Sequence, residues 1–132
     1  MILLALLFVC HYLADYTPLS RPCMLVAKRL GRPVMPIVLH AAVHAWLMLL
    51  VLAVFDGFGW IAIHHDTIAL LFLFQLVSHS LIDLLKGRLN GWFPSLADPR
   101  SPAHWCVFGA DQLAHALVIL LMWYAVMHGK TI

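Results

Sequence analysis

Histidine and aspartate recur along this chain in pairs, four residues apart, inside apolar stretches. On an α-helix, positions i and i+4 lie on the same face, so each pair offers two neighbouring ligand atoms to a metal ion or two neighbouring sites to a proton. Ionisable groups are costly inside a membrane, and those that occur there usually serve a function. The four motifs are His11-Tyr-Leu-Ala-Asp15, His40-Ala-Ala-Val-His44, His79-Ser-Leu-Ile-Asp83 and Asp111-Gln-Leu-Ala-His115.

The donor atoms of these motifs suit divalent transition metals. Imidazole and carboxylate are typical ligands of zinc, iron and manganese, and the motifs contain five histidines and three aspartates, enough for two ions. We expect two divalent ions, with a single ion as the alternative. We expect zinc, with iron or manganese as alternatives. Some of the eight side chains would hydrogen-bond to a ligand instead of binding the metal directly. Two other hypotheses fit the same residues: a proton or ion pathway, and a hydrogen-bond network that holds the helices together.

The composition indicates an integral membrane protein. Of the 132 residues, 64% are hydrophobic and only 11% are charged, whereas charged residues make up about a quarter of a typical soluble domain. This length allows one domain with four membrane-spanning helices of about 20 residues each. We therefore predict a single integral-membrane domain over residues 1–132, with spans over residues 2–16, 34–55, 67–85 and 104–127.

Chain-breaking residues separate these spans. Residues 56–59 follow the second span, and Gly87 and the pair Asn90-Gly91 lie in the predicted connection between the third and the fourth. Residues 23–30 are predicted to form a short amphipathic helix at the membrane interface. The motifs end the first and third spans and begin the second and fourth, so in an up-down bundle all four pairs lie at one depth. The predicted fold is thus all-α: a polytopic four-helix bundle with this interfacial helix after the first span.

Basic residues indicate the orientation of the bundle. Seven of the eight Lys and Arg residues lie in the first and third connections, and the eighth, Lys130, lies near the C-terminus. Cytoplasmic loops of membrane proteins are enriched in Lys and Arg. The motif side of the bundle is therefore predicted to face the cytoplasm, with both termini outside. The basic loops are short and interrupted, so we expect membrane lipid, and not nucleic acid, as a partner.

Three further polar residues lie close enough to the motifs to contact a metal ligand or a substrate. Gln75 lies one helical turn before the third motif, Lys86 lies one turn beyond it, and Gln112 lies within the fourth. Each glutamine could bond to a metal ligand or make an ordinary hydrogen bond between helices. Lys86 could bind a phosphate group near the site or extend to the lipid headgroups. His104, at the start of the fourth span, is a further candidate ligand.

At these motifs the chain resembles a bacterial membrane-protein family known only as domain of unknown function 3307. The resemblance covers nearly the whole chain and keeps the order of the motifs, and it implies a multi-pass protein of the bacterial inner (plasma) membrane. The family name implies no activity. A looser resemblance, to bacterial membrane-bound metal-dependent hydrolases with His/Asp motifs in their spans, favours hydrolysis. The matching segments are residues 11–15 (HYLAD), 40–44 (HAAVH), 78–86 (SHSLIDLLK) and 111–115 (DQLAH).

We predict a membrane-embedded, metal-dependent hydrolase that acts at the cytoplasmic interface on a lipid or polyprenyl-phosphate-like amphiphile. The metal would activate a water molecule, and Asp15, Asp83 or Asp111 would serve as the catalytic base. The alternatives are a metal-ion or proton transporter or channel that uses the same residues, a di-iron-type oxidoreductase, and a purely structural bundle. The apolar outer parts of the helices, for example residues 47–55 and 117–122, disfavour a pore through one chain but leave a homo-oligomer open.

Overall fold

The structure, a computed structural model, describes residues 1–129. Lys130, which the orientation argument counted, lies outside the described residues. Within that range the chain is all-helical, with no strand, which confirms the predicted all-α class. The α-helices are α1 (Ile2–Tyr16), α2 (Pro22–Leu30), α3 (Val34–Gly57), α4 (His65–Trp92) and α5 (Pro102–His128), and a short 3-10 helix spans Pro94–Leu96.

Three of these helices are long and apolar enough to cross a membrane: α3 with 24 residues, α4 with 28 and α5 with 27. Helix α1 is apolar as well but has only 15 residues, which is about 22 Å of helix against a hydrocarbon core of about 30 Å. By the length and composition of α3, α4 and α5, the chain is a membrane protein. The fourth span and the up-down orientation stay predictions.

The outer surface of the helices is apolar, and the polar side chains of the motifs face inward. Leu50, Leu70 and Leu121 each expose more than half of their surface, while His44 and Asp83 are fully buried. Acyl chains can cover the exposed leucines, and helices satisfy their own backbone hydrogen bonds, so this arrangement suits a lipid environment. It therefore agrees with the membrane assignment made from composition.

Helix α2 covers the end of the bundle at which the motifs lie, because it packs against both α3 and α4. It begins at Pro22, where the missing N–H removes no helical hydrogen bond. It ends at Leu30 and is capped by Gly31, whose φ of 64° lies in the left-handed region that glycine adopts without strain. The observed helix agrees with the short amphipathic helix that the sequence predicts over residues 23–30.

Helix α4 is longer than the sequence predicts. The predicted span ended at residue 85, with Gly87 and Asn90-Gly91 in the following connection. This boundary is wrong, because the helix continues to Trp92. Gly87 lies within the helix at a close contact with α2, where a Cβ atom would overlap the backbone N and Cα of Gly31. Gly87 therefore allows two helix backbones to approach each other and does not reverse the chain.

The interior of the bundle has two parts. One part holds the side chains of the motifs, and the other, toward the α3–α4 connection, is filled by apolar side chains of α1, α3, α4 and α5. Leu7, Met48, Leu52 and Ile119 expose at most 1% of their surface there. Close van der Waals packing is the main source of helix association in a membrane. This apolar part therefore provides the packing that holds the motif helices at fixed distances.

Candidate metal centre

The two motif side chains of each helix face each other, as the i, i+4 spacing requires. Their closest nitrogen and oxygen atoms are separated by 3.3 to 3.6 Å in all four helices. Each pair therefore presents two donor atoms to the same small volume. The separations are 3.6 Å for His11–Asp15, 3.3 Å for His40–His44, 3.4 Å for His79–Asp83 and 3.6 Å for His115–Asp111.

The four pairs meet in one cluster, with the imidazole of His79 at its centre. The centroid of this ring lies 3.8 Å from that of His44 and 4.1 Å from that of His115. The rings of His40 and His11 follow at 5.4 and 5.7 Å. Helices α1, α3, α4 and α5 thus all contribute to one site, although their motifs are far apart in the sequence.

Two groups within this cluster have the arrangement of a metal site. In each group, one donor atom per residue lies within 4.8 Å of the donor atoms of all the others. His79 belongs to both groups, whereas His11 and Asp111 belong to neither. The buried His and Asp residues could therefore hold a metal ion, as the sequence predicts. The first group is Asp15, His40, His44 and His79; the second is His79, Asp83 and His115.

Several donor atoms in the cluster are buried and make no hydrogen bond to any described residue. They are both ring nitrogens of His11, Nδ1 of His44, Nε2 of His79 and His115, both carboxylate oxygens of Asp83, and Oδ1 of Asp111. Buried polar atoms in native proteins nearly always have a partner, so each of these atoms requires an explanation. A metal ion in the cluster would supply a partner for those nitrogens and oxygens that bind it. The donor atoms therefore fit the divalent metal ion that the sequence predicts.

Two polar residues orient the imidazoles from outside. Ser20 Oγ lies 2.7 Å from His40 Nδ1, and Gln75 Nε2 lies 3.4 Å from His79 Nδ1. When Nδ1 donates its proton to such a partner, Nε2 keeps a lone pair that faces the cluster. For Gln75, rotating the amide by 180° would place the unpaired Oε1 where it accepts the Nδ1–H bond. Ser20 was not among the site residues predicted from the sequence.

Lys28 of α2 enters the cluster, which the sequence analysis did not predict. Its ammonium donates to Asp15 Oδ1 at 2.8 Å and lies 3.2 Å from Asp83 Oδ1 and 3.3 Å from His40 Nε2. Burial disfavours its charged form, but the Asp83 and Asp15 carboxylates outweigh this effect and raise the pKa of Lys28. The amine therefore stays charged at neutral pH and neutralises part of the negative charge in the cluster.

Residues 3–131 match a protein family described as "Protein of unknown function (DUF3307)". The chain belongs to this family. The match confirms the resemblance that the four motifs indicated. No curated protein and no solved structure matches the chain.

In this member of the DUF3307 family, the sequence of α2 contains a pattern that indicates the inward position of Lys28. Ala27, Lys28 and Gly31 lie on one face of α2, and Ala27 and Gly31 are buried, whereas the neighbouring Arg29 is exposed. A lysine on the small-residue face of a short amphipathic helix points toward the bundle. From the sequence, Lys28 was interpreted only as one of the basic residues of the first connection that indicate the orientation of the bundle.

The other polar residues that the sequence singled out surround Asp111 or lie nearby. Lys86 Nζ donates to Asp111 Oδ2, and Gln112 Nε2 donates to the same oxygen at 3.1 Å. The Lys86 ammonium also lies 5.0 Å from the centre of the Phe108 ring. His104, the further candidate ligand, bonds through Nδ1 to the carbonyl of Leu96 and is in neither ligand group. The polar partners of Asp111 thus leave only Oδ1 directed at the cluster.

Proposed function

We propose that this protein is a membrane-embedded, metal-dependent hydrolase that acts on a phosphate- or acyl-bearing amphiphile. The observation that carries the proposal is the convergence of buried His and Asp donor atoms from four helices into two ligand groups that share His79. A network whose only role is to join helices would pair its polar atoms with each other. Here Nε2 of His79 and both oxygens of Asp83 form no well-aligned hydrogen bond within the described residues, and their closest oppositely charged or imidazole partners lie 3.2 to 3.4 Å away.

A single divalent ion satisfies the cluster best. The Nε2 atom of His79 can bind only one ion, and Lys28 already lies within 3.3 Å of ligand atoms from both groups. Three buried carboxylates face two ammonium groups, those of Lys28 and Lys86. These five groups have a net charge of −1, so one dication brings the cluster to +1, whereas a second would bring it to +3 in a medium of low dielectric constant.

The residues around the ion would perform distinct tasks in hydrolysis. The metal, when bound, would lower the pKa of a water molecule and polarise a phosphoryl or acyl oxygen. Asp111 lies outside both ligand groups, and its Oδ1 is buried, forms no hydrogen bond within the described residues and lies 3.6 Å from His115 Nε2. This oxygen can accept a proton from the attacking water as a general base. Lys86 fixes the other oxygen of the same carboxylate and so orients it.

The apolar part of the bundle supports an enzyme over a transporter. A transport pathway needs polar groups that continue from the site to the opposite face of the membrane. In this chain, Leu7, Met48, Leu52 and Ile119 fill the interior on that side and are almost completely buried. The motif side, where α2 and the basic connections lie, is therefore the side from which a substrate would reach the metal. From the distribution of Lys and Arg we infer that this side faces the cytoplasm. The bacterial inner membrane is the location that the family resemblance implies.

Metal analysis of the purified protein tests this proposal. We expect about one equivalent of zinc, iron or manganese per chain by inductively coupled plasma mass spectrometry of protein in detergent. The double variant His44→Ala, Asp83→Ala should lose the metal. The matched control His65→Ala, Asp66→Ala removes one histidine and one aspartate from the exposed start of α4 and should retain it.

Activity is tested separately from metal content. Mixed micelles of detergent with alkyl phosphates or short-chain esters should release phosphate or acid when the metal-loaded protein is added, and the double variant should release none. A folded wild-type protein that binds none of the three metals after supplementation would overturn the metal site. A metal-loaded protein without hydrolysis of either substrate class would overturn hydrolase activity and leave metal binding in place.

A further inference from the structure

A cavity with only basic ionisable groups lies beside the metal cluster, where α2, α4 and α5 meet. Its volume is about 320 Å³. It is lined by side chains from all three helices, and no aspartate or glutamate of the described residues lines it. We call it the entrance cavity, because Lys28 and Lys86 lie between it and the cluster. Its polar lining consists of Lys28, Arg29, Lys86, Asn90 and His104.

Part of the positive charge in the entrance cavity is not neutralised by the protein. Lys28 and Lys86 pair with aspartates of the cluster. Arg29, in contrast, is exposed and forms no ion pair within residues 1–129. His104 uses Nδ1 for the carbonyl of Leu96, so only its Nε2 is available to a ligand. The cavity therefore offers a guanidinium and an imidazole to an anion, in addition to the two ammonium groups at its inner end.

An apolar groove leads away from the same place. It has a volume of about 220 Å³ and runs between α4 and α5. Apolar side chains such as Leu85, Val107 and Ala110 line it, and at its inner end it reaches Lys86 and Asp111. Leu85 exposes 58% of its surface, so the groove opens on the lipid-facing exterior of the bundle. Lys86 lines both the groove and the entrance cavity and thereby joins them.

We propose that the entrance cavity and the groove together bind a membrane lipid with a phosphate monoester headgroup. The phosphate would lie among Arg29, Lys86 and His104, and one hydrocarbon chain would lie along the groove. Charge complementarity identifies the anion, since a phosphate monoester carries a charge of about −1.5 to −2 at neutral pH and its oxygens accept several hydrogen bonds. The adjoining apolar groove identifies the lipid, because free phosphate would make no use of it.

The lipid site names the substrate class of the proposed hydrolase, and it rests on that proposed function only for the hydrolysis of the bound lipid. The geometry places the headgroup next to Asp111, the candidate base, through Lys86. Binding itself requires no metal and no turnover. It can therefore be measured on chelator-treated protein, so that the absence of a metal ion and the absence of a lipid site give different results.

Lipid binding to the full chain can be measured by native mass spectrometry in detergent with a chelator present. Phosphatidic acid should bind at least about tenfold more tightly than diacylglycerol with the same chains, because charged hydrogen bonds are formed only by the phosphate. Arg29→Gln should weaken phosphatidic acid binding by about fivefold or more. Arg21→Gln removes an exposed arginine at the start of α2 that does not line the cavity, and it should leave binding unchanged.

The groove is tested by filling it. Ala110→Phe places an aromatic ring in the groove and should weaken phosphatidic acid binding, whereas Ala53→Phe on the exposed surface of α3 should not. Equal binding of phosphatidic acid and diacylglycerol, or equal losses for Arg29→Gln and Arg21→Gln, would overturn the proposal. If glycerol phosphate binds as tightly as phosphatidic acid, the site recognises free phosphate, and the lipid part of the proposal is wrong.

Discussion

Removing the charge of Lys28 should tighten metal binding, although the residue is not a ligand. Its ammonium lies 3.2 Å from Asp83 Oδ1, which belongs to a ligand residue of the second group. A metal bound to that oxygen at about 2.1 Å would lie no more than about 5.3 Å from the nitrogen. At an effective dielectric constant of about 20, a dication and an ammonium at this distance repel each other by about 6 kcal/mol.

The measured gain will be smaller than this repulsion, because α2 is short and can move the ammonium away from a bound ion. We expect Lys28→Met to bind zinc at least about tenfold more tightly than the wild type, which corresponds to about 1.4 kcal/mol. Without metal, the same variant should be less stable by about 3 kcal/mol, since the Asp15 and Asp83 carboxylates lose their buried partner. Metal should restore this stability, because it replaces the lost positive charge.

The assay is a competition for zinc between the protein and a chromophoric chelator, combined with thermal unfolding in detergent with and without metal. Arg21→Met is the matched control, because Arg21 is an exposed charge at the start of the same helix and contacts no carboxylate of the cluster. Its zinc affinity and its unfolding temperature should stay at wild-type values. A folded Lys28→Met protein with unchanged or weaker zinc affinity would refute the reasoning, because it would mean that the metal and the ammonium do not compete for the same carboxylates.

Two further predictions concern the elements that hold the site. Gly87→Ala should lower both the melting temperature and the zinc affinity, because the added Cβ overlaps the backbone beside α2. Gly91→Ala, in open space near the end of the same helix, should lower neither. Equal effects of the two substitutions would contradict the close helix contact. Ser20→Ala should weaken zinc binding about tenfold at unchanged melting temperature, because it removes the hydrogen bond to His40 Nδ1. An unaltered zinc affinity in the competition assay would show that Ser20 does not orient this ligand.

The sequence predicted the local features of this protein well, because they depend on neighbouring residues. Long apolar runs predicted the helices, and the observed α1, α3 and α5 begin and end within about two residues of the predicted spans. The i, i+4 spacing predicted which side chains face each other within a helix, as His79 and Asp83 do. The predicted end of the third span was wrong because Gly87 was interpreted as a breaker, and only the contact between Gly87 and Gly31 shows why a glycine stands inside this helix.

By itself, the sequence determined the long apolar helices, the all-α class and the four pairs of His and Asp side chains that face each other within a helix, because composition and helical periodicity act over one or a few turns. Only the tertiary structure decided how those donors divide between two groups, that His79 belongs to both, and that Lys28 lies among them. These features depend on distances between helices that are remote in the sequence. Such distances follow from side-chain packing and from the close approach of α2 to α4, which no local pattern encodes.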